Sequence, residues 1–253
     1  MQGGAFRLFR FAGIQVYLHF TWFLVAAFQI TRSAGLYSSP IWSALEYIGL
    51  FVIVLLHEFG HALACRQTGG VADRIILWPL GGIAFVNPPP RPGAYLWSIV
   101  AGPLVNVALL PVLLFASSVA EAQWRMSNHD AYRFIYSLWY VNAGLLIFNL
   151  LPIYPLDGGQ IVRGLLWFAV GQIRSLKIAS VIGLIGAIIF MLLAIVQYII
   201  GLQQQAIWLG ILAFFILSQA QAGWRYAKQL ALEAETAGAP PMETPPPIPG
   251  QHP

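Results

Sequence analysis

The sequence predicts an all-α polytopic membrane protein of about six transmembrane helices with a short re-entrant β segment. Three observations carry that prediction. The first is composition: 58% of the 253 residues are hydrophobic and only 9% are charged, whereas ordinary soluble domains carry roughly 25% charged residues. So much apolar surface has no place in water, and the solvent for most of the chain is lipid. The second is the recurrence of apolar stretches of bilayer length. The third is the placement of the basic residues between those stretches.

A spanning helix needs about 20 residues. Six segments reach that scale, near residues 14–30, 44–65, 95–119, 132–152, 177–200 and 206–223. Arg7 and Arg10 before the first apolar run imitate a signal peptide. No small-x-small cleavage site follows them, so the first segment reads as a retained helix. With the N-terminus in the cytoplasm, Arg32, Arg125 and Arg133 fall outside and the rest of the 13 basic residues fall inside. That asymmetry orients the chain in an inner (cell) membrane with both termini cytoplasmic. The net charge of +4 is therefore a topology signal. No basic stripe or nucleic-acid motif accompanies it, and no nucleic-acid partner is expected.

Residues 74–86, RIILWPLGGIAFV, are too short to span and too apolar for a simple loop. Their β-favouring Ile, Val and Phe around Pro79 and Gly81-Gly82 suggest a re-entrant β-hairpin, with an interfacial loop as the alternative. Residues 161–174 read as a short amphipathic helix on the cytoplasmic surface. The chain after the last span, 224–253, reads as a cytoplasmic, disordered tail that turns proline-rich from about residue 236. The spans form one domain, 1–223. Cys65 is the single cysteine, so there is no internal disulfide, and a small apolar filler is its plainer reading.

His57-Glu58-Phe59-Gly60-His61 closes the second apolar segment. A spacing of four residues turns a helix about 40° past a full revolution, so both imidazoles emerge on one face. That pair suits zinc, and Glu58 beside it can take a proton from an activated water. Two imidazoles and a carboxylate are costly in an apolar segment, which points to function over helix–helix glue. A catalytic zinc commonly takes three protein ligands. Asp157, in FNLLPIYPLDGGQI, is the candidate third, because the charge split puts it at the depth of the histidines. An N-cap for the following helix is its competing reading. Related divalent metals would accept the same donors. His19 and Glu46 read as isolated polar groups, with a second metal site as the weaker possibility.

HEFGHA at 57–62 together with NLLPIYPLDGGQ at 149–160 resembles the site-2 protease family of intramembrane zinc metalloproteases, as do AGPLVN at 101–106 and the Gly81-Gly82 segment. Asn149, Pro152, Leu156, Asp157 and Gly158 all stand where the family pattern requires them. The resemblance covers roughly residues 14–223 and, lacking inserts between spans, is to the minimal six-span form. It implies one Zn2+ held by His57, His61 and Asp157, with Glu58 as the catalytic base. It also implies a substrate-binding role for Asn149 near the scissile carbonyl, with Asn106, Gly81 and Gly82 as further substrate-side candidates. Interhelical hydrogen bonding is the other reading for Asn149, Asn106 and Asn142. The expected activity is endoproteolysis of membrane-protein substrates within or near their transmembrane segments, in regulated intramembrane proteolysis. The partners are that substrate and the bilayer. A zinc transporter is the competing class, although its ionisable groups would be expected near the midplane with paths to both faces.

Overall fold

The computed structural model describes residues 4–32, 35–78 and 81–238. In chain order these form β1 (Ala5–Phe11), β2 (Ile14–His19), α1 (Thr21–Arg32), α2 (Pro40–Gln67), β3 (Val71–Trp78), β4 (Gly81–Asn87), α3 (Pro92–Trp124), α4 (His129–Asn149), α5 (Asp157–Ile199) and α6 (Gln203–Gly238). The chain is thus mostly helical, with one small mixed sheet. Four described helices are long and apolar enough to cross a membrane: α2, α3, α5 and α6. Their outer faces carry large apolar side chains such as Phe115, Ile188, Ile199 and Phe214, as lipid-facing helices do.

The apolar run at 14–30 is not one helix. Its first part is β2, and only Thr21–Arg32 is helical. Ile14 and Val16 alternate inward with full burial, the period of a strand. Ala12 (φ 48°) and Gly13 (φ 76°) make the two-residue turn back to β1, the positive-φ chemistry a tight hairpin requires. The sheet order is β1-β2-β3-β4, with β1–β2 and β3–β4 antiparallel and β2–β3 parallel. The β segment expected at 74–86 is therefore a hairpin spanning 71–87 and a full member of a four-stranded sheet. Pro79 and Leu80 lie outside the described residues.

One face of the sheet packs on α2. Ile14, Val16, Ile75 and Leu77 from the strands meet Val54, Ala62 and Cys65 from the helix in a single buried core. Cys65 is filler there, its thiol 3.6 Å from the Val71 carbonyl. Arg66, next along α2, reaches over the hairpin turn. Its guanidinium donates to the Ala12 carbonyl, to the Gly13 carbonyl at 3.1 Å and to the Ala72 carbonyl at 2.8 Å.

α3 and α4 pack beside α2. Gly60 makes the approach to α3 possible: a Cβ there would sit 2.6 Å from the Ala101 carbonyl oxygen. α4 starts on an Asn128 cap and ends at Asn149, where Pro152 and Pro155 forbid continuation. α5 contains one non-helical residue, Gly171 (φ 80°, ψ 170°). It falls inside the surface helix expected at 161–174, so the break comes before the expected span at 177–200 and cuts that surface segment short. α6 runs on to Gly238, so 224–238 is helix and not disordered tail. Its Ala, Leu, Glu, Lys and Gln are strong helix formers without an apolar run. Residues 239–253 lie outside the described part.

Candidate metal centre

His57, Glu58 and His61 lie on the buried stripe of α2 and are 3%, 6% and 6% exposed. Asp157, 8% exposed, is the first residue of α5. His57, His61 and Asp157 each offer a ligand atom within 4.8 Å of the others, the only such cluster among the described residues.

The third ligand is brought in by the joint between α4 and α5. After Asn149 the chain folds tightly through Leu150–Leu156, with Ile153 N–H donating to the Leu151 carbonyl at 2.7 Å and Leu156 N–H to the Ile153 carbonyl at 2.8 Å. Gly158 and Gly159 let this loop lie against the first turn of α5. A Cβ on Gly158 would sit 2.3 Å from the Leu150 carbonyl oxygen, and one on Gly159 would sit 2.2 Å from the Tyr154 nitrogen. The far side of the loop is clasped further along the chain: Gly183 leaves room for the Tyr154 carbonyl, Gly186 for the Ile153 side chain and Gly223 for the Tyr154 ring. Burial pushes the Tyr154 phenol above its ordinary pKa against the opposing charge of Arg163, so a neutral ring fills the notch. Gln160 closes the loop by donating to the Pro155 carbonyl at 3.0 Å and accepting from Tyr95 at 3.1 Å.

These donors fit a metal. His61 Nδ1 faces the Ser98 backbone carbonyl at 2.9 Å. A carbonyl only accepts, so Nδ1 carries a proton, and in the neutral ring Nε2 then presents a lone pair. His57 Nε2 lies 3.1 Å from His61 Nε2 and 3.0 Å from Asp157 Oδ2, and His61 Nε2 lies 3.4 Å from Asp157 Oδ1. Asp157 Oδ2 is buried with no hydrogen-bond donor. With both rings neutral and protonated at Nδ1, two lone pairs and a carboxylate converge on one point, a donor set that suits a cation. The spacing also fits zinc: bonds of about 2.0–2.1 Å in a tetrahedron put ligand atoms roughly 3.3 Å apart. Gly102 on α3 keeps the space clear, since a Cβ there would lie 2.3 Å from His61 Nε2.

The remaining candidates fall in different places. Asn106 is fully buried and turned to His57, its Oδ1 2.5 Å from Nδ1, so its amide is engaged behind the ligand and not on a substrate-facing surface. Asn149 is partly exposed at the end of α4, and among the described residues its amide has no hydrogen-bond partner. Gly81 and Gly82 are backbone partners of Trp78 and Leu77 in the sheet, outside the metal cluster. Glu46 accepts from Tyr37 at 2.6 Å, while His19 bonds Thr21 at 2.7 Å and stacks on Trp78 at 4.4 Å. They form no shared site. Ser98 and Gly102 escape notice in the sequence because their roles arise from where α3 crosses α2. The AGPLVN stretch at 101–106 contains Gly102 but not Ser98.

The profile of peptidase family M50 matches residues 46–123 and 116–193. The chain is 36% identical over 191 residues to a zinc metalloprotease of Methanocaldococcus jannaschii, covering 76% of this chain and 54% of that protein. It is 28% identical over 261 residues to Rip3 of Mycobacterium tuberculosis, covering 92% of this chain and 65% of that one. The chain therefore spans between about half and two thirds of the length of these relatives. Among solved structures, the site-2 protease from M. jannaschii aligns with a TM-score of 0.61 and 31% identity over 87% of this chain and 95% of that one. On the family match and these likenesses, the chain belongs to peptidase family M50, the site-2 protease family.

Proposed function

We propose that this chain is a zinc-dependent intramembrane endopeptidase that hydrolyses peptide bonds within or near transmembrane segments of membrane proteins, in regulated intramembrane proteolysis. The observation that carries the proposal is the convergence of His57, His61 and Asp157 electron pairs beside buried Glu58 in a lipid-exposed helical protein. Zinc held by these three residues would supply Lewis acidity. Glu58 takes the proton of the attacking water and returns it to the leaving amine, general acid–base work worth about 10²–10⁴ in rate. Asn149, with its uncommitted amide at the end of α4, donates to the carbonyl oxygen as charge develops there.

The substrate must reach Glu58 unwound, because a helix hides its carbonyls. β4 is an edge strand of the sheet and offers an edge for pairing with such a segment. Gly81 and Gly82 open that strand without side chains in the way. The hairpin is re-entrant in this reading. α4, 21 residues long, joins the four apolar helices. The 12 residues of α1 are too few to span alone, so a sixth crossing would need α1 together with the strands before it, leaving both termini cytoplasmic and the metal reached from that side in a multi-pass cell membrane protein.

The test uses the full chain in proteoliposomes with a panel of transmembrane peptides. Wild type and Glu58→Gln should both bind one zinc, and turnover should be lower in the variant by about 10²–10⁴-fold. Equal cutting by both, or zinc flux that survives Glu58→Gln, overturns the protease reading.

A further inference from the structure

A histidine that ligates a metal through Nε2 must carry its proton on Nδ1. For His61 the backbone guarantees this, because the Ser98 carbonyl can only accept. For His57 the partner is a side-chain amide, Asn106, and an amide can face either way. With Nδ2 turned to the ring it would demand an acceptor at Nδ1 and drive the ring proton to Nε2, where it blocks ligation.

The group that decides between these orientations stands on a third helix. Asn142 of α4 donates from Nδ2 to the Asn106 backbone carbonyl at 3.0 Å. That oxygen cannot donate, so the orientation of Asn142 is fixed and its Oδ1 faces the Asn106 side chain. Oδ1 accepts from Asn106 Nδ2 at 2.8 Å. Asn106 Oδ1 is left to His57 Nδ1 at 2.5 Å. Both asparagines are 0% exposed, so no bulk water substitutes for a missing partner. Two carboxamides in apolar helices are a costly choice for mere adhesion, which small or apolar residues achieve more cheaply.

We propose that Asn142 is a positioning residue for the metal centre: acting through Asn106, it holds His57 in the Nδ1-protonated tautomer that metal ligation requires. Asn142 touches none of the ligating atoms. α4 also ends at Asn149 and leads into the loop before Asp157, so the same helix that delivers the third ligand sets the state of the first. The proposal rests on the metalloenzyme reading above.

The test measures zinc affinity of the full chain in nanodiscs by chelator competition, together with the ¹⁵N shifts of the His57 ring in metal-free wild type. Asn142→Leu should weaken zinc binding by about 10–100-fold, the scale for outer partners of ligating histidines. Asn142→Asp should keep it within about threefold, since a neutral carboxyl has both an O–H donor and an acceptor. Asn106→Leu/Asn142→Leu should bind no more than about threefold weaker than Asn106→Leu alone, because the two residues act in series. The metal-free His57 ring should be protonated at Nδ1. A wild type that binds zinc while Asn142→Leu binds it equally well, losses that multiply in the double variant, or a neutral His57 ring protonated at Nε2 and not at Nδ1 each overturn the proposal, and the ring shifts, read at a pH where the ring is neutral, decide it even where a variant does not fold. A wild type that binds no zinc instead overturns the reading of the site itself.

Discussion

Two parts of the metal centre are built in opposite ways. His57 and His61 stand inside an unbroken helix and are held from behind by hydrogen bonds to Asn106 and Ser98. Asp157 stands at the end of a broken one, its Oδ2 without a donor, and is held by the shape of the backbone around Gly158 and Gly159. In the first part hydrogen bonds position side chains, and a ring can give way by rotation. In the second, backbone packs on backbone, which cannot. The aspartate side should therefore be the less tolerant of added volume.

Gly159→Ala is the sharpest way to break that comparison. Its Cβ would lie 2.2 Å from the Tyr154 nitrogen and 2.4 Å from the Ile153 carbonyl carbon, so the loop must move and Asp157 moves with it. Overpacking typically costs about 1–3 kcal/mol. Expressed at the ligand itself, that is a loss of zinc affinity approaching 100-fold, read by chelator competition. Gly102→Ala strikes the histidine side, where the three atoms nearest the new Cβ all belong to the His61 ring, the first at 2.3 Å. The ring can tilt at the expense of its bond to Ser98, and affinity should fall about tenfold, near the cost of one hydrogen bond. A larger loss from Gly102→Ala than from Gly159→Ala would invert the comparison. Arg66→Leu sets its boundary. The residue lies on the same helix as the histidines but serves the hairpin turn, so zinc affinity should stay within about twofold while amide exchange at Ala12 and Gly13 quickens about tenfold.

The same contrast explains what the sequence could tell. The histidine pair was legible because a four-residue spacing means one face on any helix. Asp157 was legible as a candidate from depth, but its approach to the metal depends on glycine contacts with a loop and with α5 and α6, which no local pattern encodes. Residues 14–19 were hidden inside an apolar run of nearly spanning length. Their strand character shows in the alternation of Ile14, Val16 and Leu18, yet their partner β3 comes only after α2. Helix 224–238 is hard to read because its polar, helix-forming residues run without a break into the proline-rich 239–253. Asn106 and Asn142 were visible as polar residues in apolar helices. Their joint action on His57 appears only when three helices are placed together.

The parallel pairing of β2 with β3 has a consequence for assembly. Parallel neighbours cannot be joined by a tight turn, and here the connection contains α1 and α2. The β1–β2 hairpin is local and can close as soon as it leaves the ribosome. The sheet cannot be completed until the helix bearing His57 and His61 has been synthesised and has brought β3 back beside β2. Closure of the sheet therefore records that the metal-bearing helix has been set in place, and the early hairpin acts as the latch that waits for it.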